Sequence, residues 1–154
     1  MPFRFLGLSP VSFRPLLLLN DDALVARGAR RMIADKKPGF PCRVSLEDAE
    51  PGERVLMVPY EHQSVHSPYR ASGPIFVRES AASAYDATDV PPVLNGRLLS
   101  LRAYDNAGMM TDADVVPSEG VETALERLLG CPDAAYVHIH NAKRGCFACR
   151  VERA

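Results

Sequence analysis

The sequence carries almost no net charge. Eighteen Lys and Arg stand against 19 Asp and Glu in 154 residues, leaving a formal charge of −1. No long-range field then favours nucleic acid or an anionic membrane surface, and neither is expected as a partner. Cysteine is scarce, and four of them are too few for a disulfide scaffold. Long apolar runs are missing as well. The N-terminal region has Arg4 and Arg14, but its apolar run extends only from Leu16 to Leu19. A secretion signal needs about 7–15 apolar residues and a membrane span about 20. These absences together predict a cytoplasmic protein with reduced thiols. No nucleophile elbow, phosphate loop or paired-carboxylate motif occurs either, so no reaction can be read directly from a signature.

A chain of 154 residues with 47% hydrophobic and 24% charged content is expected to form one domain, residues 1–154. It should bury about 68–70% of its unfolded surface without help from disulfides or metal. Phe3 to Leu8 alternates as a first strand, weakened by Gly7. Asn20-Asp21-Asp22 offers an N-cap and a negative first turn. Leu24, Val25, Gly28, Met32 and Ile33 then follow helical spacing up to Lys36-Lys37, and Pro38-Gly39 stops the pattern. Cys42–Leu46 and Arg54–Tyr60 read as an antiparallel hairpin across a Pro51-Gly52 turn, with Pro59 marking a strand end or edge. Further strands are expected at Pro74–Arg78, Arg97–Tyr104, Ala113–Val116, Ala134–Asn141 and Cys146–Glu152. A second helix starts at Ser118 with Val121, Leu125, Leu128 and Leu129 on its apolar face and ends at Gly130 and Pro132. Two connections are long: Glu61–Ser72, with His62, His66, Tyr69 and Arg70, and Glu79–Gly96. The class is α+β, a mostly antiparallel (mixed) sheet with two α-helices packed on one face.

The chemically densest stretch is Ala135–Arg150, AYVHIHNAKRGCFACR, with two of the four histidines, two of the four cysteines and a basic turn. His138 and His140 are two apart on a strand and share a face, whereas Cys146 and Cys149, three apart, do not. A four-residue turn at Ala142–Gly145 sets Asn141 opposite Cys146 and His138 opposite Cys149; a one-residue slip puts Cys146 with the histidines instead. One alternative is a zinc-stabilised fold through His138, His140 and a cysteine, with Cys42 or His62 as a further ligand, although the usual closed zinc spacings are missing, and no cofactor is otherwise expected. Cys146 follows Lys143-Arg144-Gly145, whose charge favours a thiolate. With His140 near in sequence, the two are the candidate catalytic pair. Asn141, Lys143 and Arg144 form a cationic turn suited to an anion, and Arg43, Tyr69 and Arg70 are candidates to converge on it, as are Arg78 and Arg150. The plain alternative is solvated charge around an ordinary core. A third alternative is an interaction module whose edge strand pairs with a second copy or another protein.

Four blocks carry a family likeness: PGFPCRVSLEDAEPGE (Pro38–Glu53), SPYRASGPIFVRE (Ser67–Glu79), LLSLRAYDNAGMMTDADVV (Leu98–Val116) and YVHIHNAKRGCFACRVER (Tyr136–Arg153). They resemble the small bacterial proteins grouped as domain of unknown function 1203. The resemblance implies one domain of this length and a bacterial source, with no assigned activity and no catalytic residues to carry across. The leading expectation is a small-molecule or anion binding site, with or without enzymatic activity, between the Glu61–Ser72 connection and the Asn141–Gly145 turn.

Overall fold

The computed structural model describes residues 2–154. Nine strands form two sheets in which every strand pair is antiparallel. The larger sheet contains β1 (Phe3–Leu6), β5 (Asp86–Ala87), β6 (Leu98–Tyr104), β7 (Met110–Pro117), β8 (Tyr136–Asn141) and β9 (Phe147–Arg153). Its strand order is β5-β1-β9-β8-β6-β7. The smaller one contains β2 (Arg30–Ile33), β3 (Arg54–Gln63) and β4 (Ala71–Arg78), with β3 central. The α+β class holds. Among the described residues no helix is long and apolar enough to cross a membrane.

The helix α3 (Val121–Gly130) forms as its sequence dictates. Val121, Leu125, Leu128 and Leu129 recur at helical spacing and are all buried, against Leu99, Leu101, Val137, Ile139 and Val151 on one face of the larger sheet. The N-terminal helices are shorter. α1 (Arg14–Leu17) and α2 (Asp21–Ala26) pack with Phe13, Leu24, Leu56, Ile75 and Val77 over the smaller sheet. Asn20 caps α2 as expected, its Oδ1 accepting from Ala23 N at 2.9 Å.

The expected helix over Asn20–Lys37 is corrected to six helical residues followed by a strand. Gly28 adopts φ 73°, and the amides of Gly28 and Ala29 close the helix end on Val25 and Leu24. Met32 then pairs with Val55 in β2–β3. Its apolar spacing served a ladder, not a helix.

The expected hairpin of Cys42–Leu46 with Arg54–Tyr60 is also corrected, since β3 pairs with β2 and β4. Cys42 makes a single bridge to Phe76, and the chain turns from Arg43 onward, joining the two sheets to each other. Arg43 N donates to Phe76 O, Leu8 N donates to Arg43 O, and Tyr85 N donates to Val44 O. Gly7 makes this approach possible: a Cβ there would stand 2.1 Å from Val44 O. Pro59 sits inside β3, opposite Pro74. β2 has already ended at Met57, so β3 is locally an edge there and a missing donor costs no ladder bond.

Candidate functional site

The last hairpin has the predicted turn, with Asn141 N donating to Cys146 O at 2.9 Å and His140 opposite Phe147. A bulge then absorbs Ala148, so Ile139 and not His138 faces Cys149, and His138 faces Arg150. The expected placement of Cys149 opposite His138, on the histidine face, is therefore corrected. That cysteine lies in the α3-side core, fully buried, and burial pushes its thiol pKa up to about 12.

On the opposite face, His138 and His140 meet His62 from the end of β3, with Tyr104, Tyr136 and Phe147 around them. The His62 ring lies 4.9 Å from His140 and stacks on Phe147 at 5.5 Å. Burial pulls His138 down to about 3 and His140 to about 4, with neighbouring positive charge adding to the effect. His62 is lowered by the same cause. His140 Nδ1 donates to Gly145 O at 2.8 Å, which leaves Nε2 as the lone pair facing Arg102 at 3.5 Å. Both ring nitrogens are thus engaged, neither with Cys146. The Nδ1 atoms of His62 and His138 are buried without partners among the described residues. Cys42 sits elsewhere, in the smaller-sheet core, accepting from Val44 N and Arg78 N. Among the described residues no group of three or more His, Cys, Asp or Glu is placed to hold a metal ion.

The polar centre of the molecule is Arg43. It is only 2% exposed, yet it has no carboxylate partner among the described residues. Its Nε donates to Phe147 O at 2.7 Å, and its Nη1 donates to Pro41 O. Burial draws its pKa below the ordinary arginine value, opposed mainly by the sulfur of Cys146 beside it.

Arg43 looks into a cavity of about 490 Å³ at the seam of the two sheets. Lys36, Arg97, Lys143 and Arg144 also line it, and no Asp or Glu does. Arg97 is neutralised by Asp48 through two hydrogen bonds of 2.8 and 3.0 Å. Lys36, Lys143 and Arg144 have no such partner among the described residues. Asn141 and Cys146 complete the polar wall. The Asn141 Nδ2 donates to Cys146 Sγ at 3.7 Å, and its Oδ1 is buried without a partner among the described residues. A second cavity, about 630 Å³, lies on the other side of Arg43, Phe76, Arg144 and Cys146 and reaches His62.

The structure therefore brings together Arg43, Asn141, Lys143, Arg144 and Cys146. It does not bring Tyr69 and Arg70 to them. Ser67 Oγ donates to Gly108 O, and Tyr69 packs against Tyr104, holding that loop on the β6–β7 turn. Arg70 pairs with Glu61 on the surface. Arg78 is tied to Glu53, whose carboxyl it holds down at about 2. Arg150 lies 3.9 Å over the Tyr136 ring. Sequence reasoning missed Lys36 and Arg97, which stand next to turn signals (Pro38-Gly39 and Asn95-Gly96).

Comparison with known proteins adds the family and nothing more specific. The family described as "Protein of unknown function (DUF1203)" matches residues 39–153. No curated protein and no solved structure matches.

Proposed function

The chain belongs to the DUF1203 family, and within that frame we propose that it is a small-molecule binding domain specific for an anion. The carrying observation is Arg43. A guanidinium buried to 2% exposure without a counter-carboxylate is costly to desolvate. The cost is offset when an anion completes its coordination. Two carbonyl hydrogen bonds satisfy part of the fork, and the group lines an open cavity with three further uncompensated cations. Arginine at such a depth gives planar, directional recognition of a carboxylate or phosphate. Lys143 and Arg144 at the mouth supply attraction that is screened by salt. The Asn141 amide, turned about its last torsion, directs Nδ2 into the same space in place of Oδ1.

The test is calorimetric titration of inorganic phosphate and of acetate at constant ionic strength. Wild-type protein binds at least one of them saturably with one site, and the Lys143→Gln/Arg144→Gln variant binds it more weakly. Heats no larger than those of chloride, for both anions, sink the proposal.

A further inference from the structure

The cavity offers more than charge. Met32, Phe40, Phe76 and Leu98 line it together with the cations. Phe40 and Phe76 form a tilted aromatic pair with ring centroids 5.1 Å apart. Phe40 is largely withdrawn from solvent, while Phe76 and Met32 are only half-buried and Leu98 is exposed at 43%. An apolar wall left partly uncovered beside a charged one is the pattern of a site for an amphipathic ligand, since small-molecule sites are mostly apolar with a few placed polar groups. The volume of about 490 Å³ falls in the range of roughly 300–1,000 Å³ usual for such sites. An inorganic oxyanion would fill only a fraction of it and leave the wall in water.

We infer that the ligand is a small organic anion with an aromatic body: a phosphate monoester or carboxylate whose head meets Arg43, Lys143 and Arg144 and whose ring lies against Phe40, Phe76 and Leu98. The inference rests on the anion reading above. The head binds on the hairpin side, next to the Cys146 sulfur. The body lies on the side of the Pro38–Pro41 segment, where prolines and the Phe40 ring are held by Ala49 N donating to Phe40 O at 2.9 Å. Asp48 contributes by fixing both walls. It accepts from Gly39 N on one side and pairs with Arg97 on the other.

Three probes separate the contributions: inorganic phosphate, phenyl phosphate and phenol, titrated calorimetrically into the full chain. Phenyl phosphate binds at least tenfold more tightly than inorganic phosphate, as burial of a ring predicts, and phenol alone binds more weakly than either. Leu98→Ser, at an exposed position, narrows the ratio of phenyl phosphate to inorganic phosphate affinity severalfold. Equal affinity for phosphate and phenyl phosphate overturns the aromatic body while the anion site stands. Phenol binding as tightly as phenyl phosphate overturns the anionic head. Failure of both phosphates to bind removes the anion reading and this inference together.

Discussion

Arg43 Nε donates to the main-chain oxygen of Phe147 at 2.7 Å across 104 residues of sequence. This bond joins the segment between the two sheets to the first residue of the last strand. It also fixes the depth at which the guanidinium meets the cavity. Arg43→Met leaves the carbonyls of Phe147 and Pro41 without their donor. The expected loss is about 1–3 kcal/mol, the cost of buried acceptors left unpaired, read by urea denaturation. An unchanged midpoint would show that these bonds contribute no net stability.

Gly7 controls the same segment from the other side. A methyl group there would meet Val44 O at 2.1 Å, and that atom belongs to backbone held by Tyr85 N. Gly7→Ala is expected to destabilise by about 3 kcal/mol and, by displacing Arg43, to weaken phosphate binding more than its stability loss alone explains. Thermal unfolding with and without phosphate separates the two effects.

The histidine cluster gives the protein an acid weakness. His138 at about 3 and His140 at about 4 lie below their ordinary 6.5. The unfolded chain therefore binds protons that the folded protein refuses. Their contribution to stability is fully present above pH 6.5 and is lost as pH falls toward 4, up to about 3 kcal/mol for His140. The Glu53 carboxyl, held at about 2 by Arg78, loses its contribution only below its ordinary 4.5, so the window from pH 6.5 to 4.5 belongs to the histidines. His140→Gln should reduce the slope of stability against pH across that window, with His138 and His62 supplying what remains. An identical slope in the variant contradicts the assignment.

The cysteines differ in surroundings, and labelling of the native protein reads the difference. Cys131 is exposed, Cys146 half-buried, and Cys42 and Cys149 fully buried. Alkylation is expected at Cys131 and Cys146 only, with the buried pair reacting after unfolding. Charge provides the sharper comparison. The rate with anionic iodoacetate relative to neutral iodoacetamide should be higher at Cys146 than at Cys131, because Arg43, Lys143 and Arg144 surround the former. Equal ratios at the two sites would deny the cationic environment.

Much of this arrangement was legible in the sequence where one local pattern decides one outcome. The leucine spacing of α3, the Asn20 cap and the four-residue turn after Asn141 all act within a few residues, and each formed as expected. The misreadings arose where distant contacts decide. Met32 fits a helical stripe as well as a strand face, and Gly28 in the left-handed region ended the helix before that stripe was used. Cys42–Leu46 alternates like a ladder strand, yet its partners come from Leu8, Phe76 and Tyr85. The Ala148 bulge moved Cys149 to the core without any turn residue to announce it. In the site, Asn141, Lys143, Arg144 and Cys146 were readable because one turn carries them. Lys36 and Arg97 reach the cavity only through the folding of separate loops.

The most direct measurement is a ¹⁵N–¹H NMR titration with phosphate at constant ionic strength, following the Arg43 Nε–H resonance along with the backbone. Arg43 is expected to shift saturably, together with the amides of Gly39, Phe40, Cys42 and Arg43, of 96–98 and of 141–146, and few others. A linear, unsaturating drift, or saturable shifts confined to surface cations such as Arg127, would contradict an anion site built around Arg43.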